Sequence, residues 1–166
     1  LQIEKEQVEE NLEVEVVKNT ELTTENRELN KNVAVGSMLT LSKMEAGAYK
    51  VKSNGKEKEG TSVSSDRFKA CYTIAKNLIA KSGERVVYMR ISTPELKVLA
   101  SKDGNNTFNF NGQPLMYSAK QTMVYNNEII ESCINYDKVN DFTAGEYTIE
   151  LYTEGYKLGE AKVTLK

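Results

Sequence analysis

The hydrophobic pattern of this chain changes period once. Over residues 1–33 apolar side chains recur every three and four positions, whereas over residues 34–166 they alternate or cluster in short runs between turn residues. A period of 3.5 keeps one seam of a helix turned toward a partner helix, and a period of two turns one face of a strand toward a core. The predicted organisation is an N-terminal α-helical coiled coil over residues 1–33 and a mainly β domain over residues 34–166.

In the first segment Leu1, Val8, Glu15, Leu22 and Leu29 occupy the d positions of a heptad, and Lys5, Leu12, Asn19, Asn26 and Val33 the a positions. The predicted interface is Val8, Leu12, Asn19, Leu22, Asn26, Leu29 and Val33. Asn at a is costly in a dry seam but pairs with its mate across a parallel two-stranded coil, which fixes register. The two such positions predict a homodimer through the helix. Charge does not set helix direction, because Glu4 would face Glu9 in a parallel pair. The first half is less regular: Lys5 and Glu15 sit in the seam, Val14, Val16 and Val17 sit outside it, and residues 12–16 also alternate like a strand. Helix is preferred because the heptad resumes in register at Leu22. A single amphipathic helix folded onto its own β domain stays open as the alternative. A seam that begins at residue 1 implies more stalk upstream.

Gly36 closes the helical pattern. Residues 38–41 and 48–52 then read as two strands, or as one strand bent near Ala46 and Gly47. Residues 53–66 are polar and read as an exposed loop. Residues 67–76 fit a helix face through Phe68, Cys71, Tyr72 and Ala75, but Phe68, Ala70, Tyr72 and Ile74 alternate cleanly and predict a strand. Residues 84–92 are dense in β-formers, and 96–100 read as a further short strand. Asn111 and Gly112 predict a two-residue hairpin between 107–110 and 113–117, with Pro114 at an edge. Asn126 and Asn127 suggest another hairpin, and residues 153–155 a last one between 146–152 and 156–165. Eight to ten short strands at this spacing predict an antiparallel β-sandwich.

Composition narrows the chemistry. The chain has no His, which removes Ser–His and Cys–His catalysis and His metal sites, and its two Cys cannot alone hold zinc. The helical segment carries nine Glu against four Lys and Arg, and the net charge of −2 leaves about +3 spread over the β domain, so no basic stripe points to nucleic acid. No apolar run is long enough to span a membrane. No cofactor is expected.

Ala144 to Tyr152, followed by Gly155, Tyr156, Lys157, Leu158 and Gly159, resembles the last two strands of bacterial immunoglobulin-like extracytoplasmic domains. Cys71 to Asn77, through Gly83 to the run Val87, Tyr88, Met89, Arg90 and Ile91, is similar to segments of bacterial envelope proteins built as anchor, coiled coil and terminal β-sandwich. The resemblance implies an immunoglobulin-like sandwich over residues 34–166 and a periplasmic or extracytoplasmic location, anchored through upstream sequence. It carries over no active-site residues.

Several residue sets remain as candidates. Cys71 and Cys133 each oppose the apolar parity of a predicted strand, so they either form a disulfide or remain separate buried thiols. Tyr125, Tyr152 and Tyr156, with Phe108 and Phe110, lie near turns and form a candidate ligand surface for glycan or peptide, or else fill the ends of the fold. Asp137 with Asp141, and Glu150 with Glu154, are acid pairs without a fixed separation. Asp103 to Asn106 reads as a turn, although it resembles part of a calcium loop, and Asn105 to Thr107 matches a glycosylation sequon. The function expected is a non-enzymatic structural or interaction protein: a coiled-coil dimer presenting β-sandwich heads to an envelope protein. The alternative is a glycan- or peptide-binding module using the tyrosine-rich turns.

Overall fold

A computed structural model describes residues 2–153 and 155–166, so Leu1 of the heptad and Glu154 of the second acid pair lie outside the described residues. The chain divides into two units, Leu1–Met38 and Leu39–Lys166.

The first unit is one helix, α1 (Gln2–Gly36). No Pro, and no Gly before its last residue, interrupts the run of Glu, Leu, Lys and Asn. Thr20, Thr23 and Thr24 turn their hydroxyls back onto the carbonyls of Val16, Asn19 and Thr20 at 2.8–3.0 Å, which gives each hydroxyl a partner within the helix. The Ser37 N–H donates to the Val33 carbonyl at 2.8 Å and completes the last turn. At 1.5 Å per residue α1 is about 50 Å long.

The second unit contains β1 (Leu41–Val51), β2 (Glu57–Gly60), β3 (Arg67–Ile74), β4 (Gly83–Ser92), β5 (Thr107–Phe110), β6 (Gln113–Met116), β7 (Ala119–Tyr125), β8 (Ile130–Asp137), β9 (Gly145–Thr153) and β10 (Tyr156–Leu165). Two four-stranded sheets run in the orders β2-β1-β3-β8 and β10-β9-β4-β7, and β5-β6 forms a separate two-stranded ribbon. Every pairing is antiparallel. The fold is mainly β with one N-terminal helix.

One hydrophobic cluster draws on both large sheets: Phe68, Ala70, Tyr72, Ile74, Ile134 and Tyr136 from one, and Val87, Met89, Ile91, Ile149, Leu151 and Val163 among those from the other. The alternation of β3 settles its two readings. Phe68, Ala70, Tyr72 and Ile74 are buried while Cys71 and Thr73 turn outward, which a strand can do and a helix cannot. The buried hydroxyls of Ser118 and Thr153 are satisfied. The Ser118 hydroxyl accepts the Ile91 N–H and donates to the Leu99 carbonyl, and the Thr153 hydroxyl donates to the Val86 carbonyl. The Tyr72 hydroxyl reaches across to Gln121 Oε1 at 2.8 Å and ties β3 to β7. At the start of β9 the Tyr147 hydroxyl accepts the Thr143 N–H at 2.9 Å and donates to the Thr143 carbonyl at 3.0 Å.

Of the two readings of residues 38–52 the single strand holds: β1 runs from Leu41 to Val51, with an irregularity between Leu41 and Lys43. Three expectations change. Residues 53–66 are not all loop, because β2 pairs with β1 from Ala48↔Gly60 to Val51↔Glu57. Charge holds β2 in place. Glu57 binds Arg67 and Lys69 of β3, and Arg67 Nε binds Asp137 of β8 at 2.5 Å. Residues 96–100 form no strand. The Leu96 N–H bonds the Thr93 carbonyl at 2.8 Å and Leu96 takes φ 63°, which closes a turn after Pro94 and leaves only a Ser92↔Val98 bridge. The segments flanking Asn126 and Asn127 are not a hairpin: β7 pairs with β4, and β8 pairs with β3 in the other sheet. The Tyr125 hydroxyl accepts the Asn77 N–H at 2.8 Å, and Asn127 Nδ2 donates to the Asn77 carbonyl at 2.9 Å, anchoring the crossover. The hairpin at Asn111–Gly112 and the pairing of β9 with β10 do form, and φ is 51° at Asn111 and 82° at Gly112.

Cys71 and Cys133 face each other in the β3–β8 register and form a disulfide on the outer face of the sheet, with Cys133 exposed. It closes a loop across a sequence separation of 62 residues. Replacing both by Ser is expected to cost about 2–4 kcal/mol in urea unfolding, and an unchanged midpoint would show that the disulfide adds nothing to the fold.

A second expectation concerns acid. Lys69 and Arg67 lower the Glu57 pKa, the Val51 N–H lowers that of Asp66, and the Arg67 guanidinium lowers that of Asp137. A carboxyl whose folded pKa lies below its unfolded pKa stabilises fully above the unfolded value and loses that contribution as pH falls through the folded value. Stability is therefore expected to decline between about pH 5 and pH 3, and Asp137→Asn to flatten that decline. Urea midpoints across this range check it; an identical slope in the variant would remove Asp137 from the account.

Candidate functional site

In α1 every side chain from Glu4 to Val35 is exposed. The heptad positions Val8, Leu12, Leu22, Leu29 and Val33 are each more than half exposed, with Leu12 at 62% and Leu22 at 55%. Asn19 and Asn26 lie on the same stripe by their heptad spacing. The helix thus places all seven predicted interface residues along one line. Val14, Val16 and Val17 are exposed off that line.

The aromatic candidates divide differently from expectation. Tyr125 is 0% exposed and Tyr152 6%, so neither offers a ring to a ligand. Tyr125 points inward because its position shares the core parity of β7 with Met123. Tyr152 points outward from β9, but the β5–β6 ribbon covers it: Phe108 lies 5.5 Å and Phe110 5.3 Å from it, ring centre to ring centre. Burial, and then the Glu150 carboxylate that it donates to, raise the Tyr152 hydroxyl pKa. Tyr156 is half-buried, and its hydroxyl accepts the Leu39 N–H at 2.6 Å, anchoring the start of the unit. These three tyrosines hold the fold together and do not form a shared surface.

The acids are likewise committed elsewhere. Asp137 is bound by Arg67 and Lys102, whereas Asp141 is bound by Lys138, so the two carboxylates form no paired site. Residues 103–106 form a turn in which the Gly104 N–H bonds the Ser101 carbonyl at 3.1 Å. Among the described residues no cluster of three His, Cys, Asp or Glu side chains is placed to hold a metal ion, and no helix is long and apolar enough to cross a membrane.

What the sequence reading did not single out is a groove of about 540 Å³ on the outer face of the β10-β9-β4-β7 sheet. Its lining includes Glu84, Val86 and Tyr88 of β4, and Phe108, Asn109 and Asn111 of the ribbon. Tyr88 stacks on Phe108 with ring centres 4.4 Å apart and planes within 8°. The Asn109 Oδ1 accepts the Gly112 N–H at 2.8 Å, which fixes the amide at the ribbon tip. The Asn111 Oδ1 lies 3.8 Å from where a Cβ on Gly155 would stand, so the tip meets the β9–β10 turn. The signal available in the sequence was parity. Val87 and Met89 are buried, which turns Tyr88 outward on an interior strand.

Comparison with curated proteins finds no match. Among solved structures, the chain is similar to an immunoglobulin-like protein from Pseudomonas aeruginosa, at 12% identity and a TM-score of 0.38, over 79% of this chain and 98% of that one. It is also similar to the Pseudomonas fluorescens alkylpurine DNA glycosylase AlkC bound to DNA containing an abasic-site analogue. That match has 11% identity and a TM-score of 0.36, covering 74% of this chain and 30% of the glycosylase. At the level of sequence families, residues 42–166, more than half of the chain, match the family described as Domain of unknown function (DUF8428), and the protein belongs to that family.

Proposed function

We propose that this protein is a non-enzymatic interaction protein in which α1 pairs with a second copy as a parallel coiled coil and presents two immunoglobulin-like β-sandwiches at the bacterial cell envelope. The observation that carries the reading is the exposed heptad stripe of Val8, Leu12, Leu22, Leu29 and Val33, with Glu15 at a d position and Asn19 and Asn26 at a positions within it. Isolated helices draw most of their stability in proteins from a buried apolar face, and this stripe has the spacing a second heptad helix fills. The sandwich reading rests on two antiparallel sheets that share one core and on the Tyr147 hydroxyl bonded back to Thr143, an arrangement typical of the corner before the penultimate strand in such folds. The disulfide supports an oxidising compartment outside the cytoplasm. Two heads on one stalk would engage a repetitive envelope partner by avidity.

Size-exclusion light scattering on the full chain tests the dimer. The expected mass is twice the 18.6 kDa of one chain, falling to one chain in Leu22→Glu/Leu29→Glu with the head still folded. A wild-type monomer at tens of micromolar sinks the reading. Replacing Asn19 and Asn26 together by Leu is expected to raise the helix melting temperature while admitting higher oligomers, seen by sedimentation equilibrium. A variant that stays strictly dimeric would place specification elsewhere in the seam.

A further inference from the structure

We propose that the groove between β4 and the β5–β6 ribbon is a binding site for a neutral glycan, a role independent of α1 and of dimerisation. Its volume of about 540 Å³ suits one or two sugar rings. Its lining combines what a pyranose requires. Tyr88, half-buried and stacked on Phe108, supplies an apolar aromatic surface for the C–H face of a sugar. Glu84 offers carboxylate acceptors, and the exposed amides of Asn109 and Asn111 offer both donors and acceptors, matching hydroxyls that both give and take hydrogen bonds. The Asn109 amide is oriented by its bond from the Gly112 N–H, which keeps its NH2 group as a donor. A site whose polar groups are held in place loses less entropy when a ligand binds.

Other ligand classes fit less well. An anion would need a cation directed at the groove; Arg85 is part of the lining, but its guanidinium donates to the Lys81 carbonyl, and the neighbouring Glu84 carboxylate offsets its charge. A peptide added as a strand would need a free sheet edge, and β4 is an interior strand paired with β7 and β9. The groove also lies where two turns converge, the ribbon tip at Asn111 and the β9–β10 turn at Gly155, so its walls come from separate hairpins. The wall from the ribbon is fastened by aromatic contacts of Phe108 and Phe110 with Tyr88, Tyr117 and Tyr152.

The test uses the full chain on an array of neutral oligosaccharides that includes chitin and β-glucan fragments, followed by backbone NMR titration with those two fragment series. The expected result is array binding, with shift changes centred on residues 84–88 and 108–112. Tyr88→Ala removes the aromatic wall but also disturbs the cluster beneath it, so two milder variants carry the test. Glu84→Gln keeps the shape of an exposed side chain. Asn111→Gly keeps a turn whose φ of 51° glycine adopts readily. Each is expected to weaken binding by about tenfold, the loss of one good hydrogen bond, with an unchanged melting temperature. A blank array, shift changes away from the groove, or binding untouched in both variants overturns the proposal. So does a peptide library that perturbs these residues when the sugars do not.

Discussion

A single core shared by two sheets is the constraint on which the β unit depends. Strands have a side-chain period of two, so once Phe68, Ala70, Tyr72 and Ile74 are committed inward, every intervening residue of β3 is committed outward. The same holds for Val87, Met89 and Ile91 in β4. The outward sets are therefore not independent choices: the disulfide occupies one outer face and the Tyr88 stack the other because the core has already used the opposite parity. A one-residue slip in β3 would bury Cys71 and Thr73 and expose Phe68, undoing the core and the cross-strand disulfide together.

The molecule couples two kinds of periodicity that solve the same burial problem differently. In the β unit, non-local pairing lets one chain bury its own apolar faces. In α1 the apolar stripe is linear and regular, and a straight helix cannot bury its own stripe. On the proposed reading the two solutions divide the work, the head specifying a shape and the stalk specifying how many heads act together. Nine Glu against four Lys and Arg in residues 1–33 would make like charges meet along the pair, so screening by salt favours association.

How much of this was legible in the sequence depends on whether the signal was local. Alternation at Phe68 to Ile74, the Asn111–Gly112 turn and the final hairpin are short-range signals, and all three took the predicted form. What escaped was set at long range. β2 reads as loop because Glu57, Lys58 and Glu59 are polar, and it is ordered by Arg67 and Lys69, residues that a local window does not weigh. The crossing after Tyr125 reads as a hairpin because Asn127 has turn chemistry, yet the turn is anchored to Asn77 in another part of the chain. Tyr152 looked available because it lies beside a turn; its side chain does leave the sheet on the outer face, but the ribbon that covers it is a tertiary feature. The same ribbon builds the groove, so the site and the reason for missing it have one origin.

The Cys71–Cys133 disulfide has a mechanical consequence for the β unit. Tension applied to the two ends of Leu39–Lys166 can peel strands from the sheets, but it cannot straighten the chain between the two cysteines, which are 62 residues apart in sequence. At about 3.3–3.6 Å per extended residue, roughly 200 Å of contour is withheld from the pulling axis. β4, β5, β6 and β7 lie inside that closed segment, whereas β1, β2, β9 and β10 lie outside it. A stretched β unit would therefore yield only about half of its contour, and the part of the chain that contributes both β4 and the ribbon would stay off the line of force.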